Sequence, residues 1–105
     1  MKLSACSIIL AALGAASAWA GADAGKAVYD RACKSCHGAD GAGNPTIAKM
    51  MKVEIPALSS SAVQSLSEAD LKAIVTKGKG KMKPVASVTG KQVDDVIEFV
   101  RTLKK

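Results

Sequence analysis

Aromatic side chains are nearly missing from this sequence: one Trp, one Tyr and one Phe are all it has. The chain is basic, and a basic chain raises the question of nucleic acid. Proteins that hold single strands stack bases on aromatic rings as well as neutralising phosphate. With so few rings and no recognisable binding motif, nucleic acid is excluded as a partner. Strand patterning is also missing. No stretch beyond residue 20 alternates apolar and polar residues for long enough to make a half-buried strand, and residues 38–65 hold glycines, prolines and serines in the proportions of loop. No internal repeat is visible. What remains is an all-α chain with a single histidine, His37.

The first twenty residues, "MKLSACSIILAALGAASAWA", place one positive charge at Lys2 before an apolar run and end in small residues, Ala18 and Ala20, around Trp19. This is the pattern of a secretory signal peptide with an A-x-A cleavage site. The run is diluted by Gly14 and Ser17 and is short for a bilayer span, so the expectation is cleavage after Ala20, with no stable membrane insertion afterwards. "LSAC" at residues 3–6 looks like a lipoprotein box, but there the cysteine follows the apolar run, and Cys6 precedes most of it. The expected organisation is therefore a leader over 1–20 and one domain over 21–105, exported to a bacterial periplasm.

Without the leader the chain keeps fourteen basic and nine acidic residues, a formal charge of +5, and its only aromatics are Tyr29 and Phe99. So small a domain buries proportionally little surface and needs a disulfide, a metal or a cofactor to complete its core. Cys33 and Cys36 are its only cysteines. A disulfide between them would close a very short loop and constrain the unfolded chain little.

Helical signals are plain. Gly25, Val28, Tyr29, Ala32 and Cys33 fall on one face that runs into the cysteines. "LSEADLKAIVTKG" starts with Ser67 as N-cap and Asp70 three residues on, is expected to bury Leu71, Ile74 and Val75, and stops at Gly78. "TGKQVDDVIEFVRTLKK" repeats this with Thr89 and Gln92, and lays Val93, Val96, Ile97, Val100 and Leu103 on one side with Phe99 at its edge.

"CKSCH", residues 33–37, carries the chemistry. A zinc site would have to add an aspartate to the two cysteines and His37, since structural zinc takes four ligands. A thioredoxin-like dithiol sits after a strand in an α/β unit, and this pair follows a helical face. C-x-x-C-H is the attachment signature of c-type haem. Thiols three residues apart add to the two vinyl groups of one porphyrin, and the adjacent histidine is then held against the iron as axial ligand. The expected cofactor is one covalent haem c, bound through Cys33 and Cys36, with His37 as proximal iron ligand.

With these residues the chain resembles the small monohaem class I cytochromes c, over essentially all of residues 21–105. "GKAVYDRACKSCHGADGAGNP" fits the family's glycine and aromatic four apart before the motif, and "VIEFVRTL" fits its C-terminal helix. The resemblance implies a cytochrome c fold, three to four helices around the haem, with the first and last helices crossing where a glycine allows close approach.

A pure electron carrier has both axial positions filled, and thioether ligation raises the potential. Met82 lies in "GKGKMKP", a glycine-rich, proline-ended loop similar to the family's methionine loop, although Lys83 separates Met82 from Pro84. Met82 is the expected distal ligand, and Met50 and Met51 are the alternatives by ligand type. His37 needs an acceptor for its second ring nitrogen. In the family this is a loop carbonyl near a proline, which leaves Pro45 and Pro56 open. Lys72, Lys77, Lys79, Lys81 and Lys83 fall within twelve residues free of acid, a field suited to steering acidic redox partners. The expected function is a soluble electron carrier and not an enzyme. The alternatives are a haem enzyme or gas sensor with an open iron site, and a cytochrome subunit of a larger membrane oxidoreductase.

Overall fold

Residues 91–102 carry an apolar side chain every three or four positions, and they form the helix against which the rest is built. The computed structural model describes residues 13–105, with side-chain surroundings from Gly21 onward. Six helical segments follow one another: α1 (Leu13–Ala32), α2 (Lys34–His37), α3 (Pro45–Met51), α4 (Ser61–Gln64), α5 (Glu68–Lys77) and α6 (Lys91–Thr102). Residues 1–12 of the expected leader lie outside the described residues. The backbone of α1 takes in residues 13–20 and continues through the expected cleavage point at Ala20. Among the described residues no helix is long and apolar enough to cross a membrane, and the one strand-like feature is an isolated antiparallel bridge between Lys79 and Met82.

The main packing is α1 against α6, and α5 adds to α6. Val28 and Tyr29 of α1 meet Val93, Val96 and Ile97 of α6, joined by Val63, Leu71 and Val88. Tyr29 is fully buried, and Val96 and Ile97 are nearly so. Each such side chain contributes about 1.5–3 kcal/mol relative to exposure. The crossing is possible because Gly25 is glycine. A Cβ there would lie 1.9 Å from the Asp95 carbonyl oxygen. The Tyr29 and Phe99 rings sit 5.0 Å apart beside this crossing.

Polar groups tie the irregular segment to α6. The Arg101 guanidinium donates to the carbonyls of Gln64 and Leu66 at 2.9 and 2.7 Å, and the Gln64 amide donates to those of Leu58 and Val100. Three of these four bonds satisfy carbonyls of residues 58–66, a segment largely outside regular structure, and the fourth reaches Val100 of α6.

Two segments fall inside the expected loop. α3 begins at Pro45 in the first turn, with the Asn44 side chain accepting from the Thr46 and Ile47 backbones. α4 is a single turn. Of the α5 residues expected in the core, only Leu71 is buried, and Ile74 and Val75 stay half-exposed. α3 has substantial contact with α2 alone among the helices.

Candidate functional site

The site is built on the end of α1. Helical hydrogen bonding continues past Ala32, with Cys33 N donating to Tyr29 O at 2.9 Å and His37 N donating to Cys33 O at 3.0 Å. Cys33, Cys36 and His37 therefore sit on one and a half helical turns that leave the core as a unit. Gly38 ends this run at φ 83°, a left-handed conformation that a side chain would strain. The chain then folds back. Gly43 N donates to His37 O at 2.7 Å and Asn44 N to Cys36 O at 2.9 Å. The Asn44 side chain both donates to Ser35 O and caps α3, which couples the motif to the next helix. From the core side, the Tyr29 hydroxyl donates to Gly38 O at 2.5 Å. Burial pushes the Tyr29 phenol up to about 12, helped by the nearby Cys33, Asp40 and Asp30, so it stays a neutral donor.

Sequence reading missed these two braces, Tyr29 through its hydroxyl and Asn44. The signal for Asn44 was present, since Asn followed by Pro is an N-cap followed by a first-turn residue. Nothing in the sequence marked the hydroxyl of Tyr29 as more than part of an aromatic in a helix face.

Both cysteines are free thiols and half-buried. Burial raises the Cys33 pKa. No three His, Cys, Asp or Glu side chains among the described residues gather into a group able to hold a metal ion, so the two thiols and the imidazole do not converge as a zinc site requires. Burial lowers the His37 pKa, which favours the neutral imidazole that binds metal. Its Nδ1 is buried with no hydrogen-bond partner. The sequence offered carbonyls near Pro45 or Pro56 as the acceptor, and neither fills that role. A buried orphan nitrogen costs about 1–3 kcal/mol. Nδ1 is thus the ring nitrogen still without its acceptor, and Nε2 is the one available to a metal.

Ile55, with Pro45 and Ala48, lines one open cleft beside the loop after the motif. Leu66, Ala73 and Ile74, with Gly78, line another between α5 and the hairpin that carries Met82. These aliphatic faces are left half-exposed while α3 has little helix packing of its own. Two free thiols and a neutral imidazole on successive helical turns fit a porphyrin held at Cys33, Cys36 and His37; the two apolar clefts lie beside the loop after the motif and beside the Met82 hairpin, and none of these three residues lines them.

Met82 sits in a tight hairpin closed by Lys79 N to Met82 O at 2.8 Å and Met82 N to Lys79 O at 3.0 Å. Gly78 makes the hairpin possible. It has φ 81°, and a Cβ there would meet Met82 O at 2.6 Å and Pro84 Cδ at 2.9 Å. Of the three candidate methionines Met82 is half-buried, whereas Met50 and Met51 are 71% and 36% exposed.

The lysine cluster is divided by the fold. Lys72 is paired with Asp94 of α6 at 2.7 Å. The stretch is free of acid along the chain, but α6 brings one to it in space. Lys81 donates to the carbonyl of Met51 at 2.8 Å and ties the hairpin to the end of α3. Lys77, Lys79 and Lys83 are exposed and enter no salt bridge among the described residues.

Two comparisons bear on this arrangement. A family model described as "Cytochrome C oxidase, cbb3-type, subunit III" matches residues 20–100. A solved structure, the KustC0563 c-type cytochrome, superposes with a TM-score of 0.65 at 23% identity, covering 77% of this chain and 98% of that one. At that identity the likeness speaks for the fold. No curated protein matches.

Proposed function

The chain belongs to the family of cbb3-type cytochrome c oxidase subunit III domains, and on that premise we propose that it is a soluble periplasmic electron carrier with one haem c held by Cys33 and Cys36 and ligated by His37 and Met82. Family membership brings the coarser facts: covalently bound haem c with its iron, and electron transfer rather than catalysis. The observation that carries the finer reading is a neutral, half-buried His37 on the same helical turns as the free thiols of Cys33 and Cys36, together with a hairpin that holds Met82 half-buried after α5.

When bound, the haem supplies a one-electron couple at iron. The chain's own residues do the rest. Cys33 and Cys36 would hold the ring on the helical turns that continue α1 into α2. Tyr29 holds the Gly38 carbonyl and Asn44 those of Cys36 and Ser35, so the backbone on either side of His37 is braced. Gly78 sets the hairpin that presents the Met82 thioether, a ligand that favours the reduced iron and raises the potential. The exposed Lys77, Lys79, Lys81 and Lys83 attract acidic redox partners, with Lys72 contributing less because Asp94 offsets it.

The test has two parts. Acid acetone should leave the haem on the denatured wild type, and haem in the solvent would refute the thioethers. The oxidised protein should show the weak far-red band of sulfur on ferric iron. Met82→Ala should lose it and bind imidazole readily. If Met50→Leu or Met51→Leu abolishes the band instead, the ligand assignment is wrong. The family description also favours a second reading, a cytochrome subunit of a membrane oxidoreductase. Co-migration of the haem protein with a detergent-extracted complex, rather than release in the periplasmic fraction, would support it.

A further inference from the structure

The two exposed large hydrophobic side chains among the described residues, Met50 and Met51, are neighbours at the end of α3. Ile47 and Ala48, one turn earlier and on the same side of the helix, are half-buried. The last turn therefore carries that apolar side on into water as two long thioethers, where singly scattered apolar residues would need no comment but a pair at one spot does.

The surroundings of this pair are basic. Lys49 precedes it, and Lys52 follows it at φ 56°, the only left-handed non-glycine residue among those described. Lys52 caps α3, its N–H donating to the carbonyls of Ala48 and Lys49. Glycine is the ordinary residue there, and a lysine accepts strain of about 1 kcal/mol. A third charge is drafted in from another element, since Lys81 Nζ lies 2.8 Å from Met51 O. Glu54 is the one acid between residues 44 and 57.

We propose that Met50 and Met51, ringed by Lys49, Lys52 and Lys81, form the contact patch for a redox protein that presents an acidic ring around an apolar centre. This rests on the electron-carrier reading and adds to it the contact surface. Lysines alone would steer an encounter without holding it, because exposed pairs add little bound-state stability. Methionine supplies the holding contact, being flexible enough to fit a surface against which it need not be finely matched. Lys81 belongs to the hairpin of Met82, so the patch is continuous with the loop proposed to ligate iron. A second copy of the chain is a poor occupant, since each patch would bring three lysines to face three others on a molecule already at +5 without its leader. A membrane surface is a poor one too, for a seven-residue helix with two methionines lacks the apolar face of an interfacial helix.

The test uses the haem-loaded protein with two redox probes. Reduced flavodoxin, a strongly acidic protein, reads charge and apolar contact together. Ferricyanide, a small anion, reads charge with almost no buried area. Met50→Gln with Met51→Gln should lower the second-order rate with flavodoxin about five- to tenfold, the loss expected from leaving two partly buried thioethers in water. Its ferricyanide rate and absorption spectrum should match wild type. Lys49→Gln with Lys52→Gln should slow both probes and flatten the dependence on salt. A methionine variant with wild-type flavodoxin rates, or one slowed equally toward ferricyanide, would overturn the patch. So would self-association of the wild type, or binding to anionic vesicles, that the same variant abolishes. A chain without covalent haem would instead bring down the carrier reading itself.

Discussion

Gly25→Ala probes the packing on which the haem site stands. In the wild type α1 and α6 touch backbone to backbone. A Cβ at residue 25 would lie 1.9 Å from the Asp95 oxygen, 2.5 Å from its carbonyl carbon and 3.0 Å from Phe99 Cβ. To reach ordinary contact the helices must part by roughly 1.5 Å. Neither Asp95 atom can swing aside, because both belong to the backbone of α6. Alanine recovers about 1 kcal/mol of helix propensity over glycine. Against this stand overpacking, about 1–3 kcal/mol at its upper end here, and looser contacts around Tyr29, Val96 and Ile97. The expected net loss is about 2 kcal/mol, a fall of about 8–16 °C in Tm for a domain of this size.

Gly21→Ala is the internal control. Its Cβ would meet Glu98 Oε2 at 1.8 Å, yet that atom ends a flexible, exposed side chain that can turn into solvent. The variant should melt at or slightly above wild type. Thermal unfolding of the two oxidised holoproteins, followed by helical circular dichroism, decides the matter. Gly25→Ala melting within ~2 °C of wild type would refute the backbone-contact argument, as would an equal fall in Gly21→Ala.

Three further outcomes follow from the same structure. Tyr29 is the sole tyrosine, so tyrosinate absorbance reports it alone. Its pKa is raised to about 12, which means the folded state holds the proton more tightly, so the contribution is full below pH 10 and about 3 kcal/mol is lost as pH rises toward 12. Titration near 10 with the fold intact would contradict this, and Tyr29→Phe should remove the tyrosine's share of the pH dependence, leaving that of the paired Lys72 and Lys91, whose pKa values are also raised. Gly78→Ala, strained at φ 81° and blocked by Met82 O, should weaken or abolish the far-red band while leaving the thioethers intact; an unchanged band would show that the hairpin does not set Met82. Cys33→Ala with Cys36→Ala should give a largely unfolded apoprotein, because the aliphatic faces of the two clefts would stay in water, and a cooperative melt near the holoprotein's Tm would count against that dependence.

What could be read from the sequence divides along a physical line. Ser67 was legible as an N-cap because capping is local: its hydroxyl accepts from Asp70 N at 3.0 Å, and α5 ends at Gly78 as expected. The second box formed by half. Thr89 N donates to Gln92 Oε1, but Gly90 takes the N-cap position and the Thr89 hydroxyl caps nothing, since the left-handed Gly90 shifts the helix start by one residue. Gly25, Tyr29 and Phe99 were legible as a crossing through the resemblance, and the geometry at Gly25 bears that out. Relations between distant segments were not legible. Nothing in residues 67–83 announces Asp94 beside Lys72, or Met51 O beneath Lys81. Asp95 follows Asp94 near a helix start, where a charge would ordinarily face water, yet it is buried and paired with Lys91 at 2.8 Å, because the α1–α6 crossing covers that turn. Ile74 and Val75 fit the apolar face of α5 yet stay half-exposed. Periodicity counts which residues avoid water, but it does not say whether protein or cofactor shelters them. In a chain with two aromatics beyond residue 20, that difference separates an underfilled core from a haem crevice.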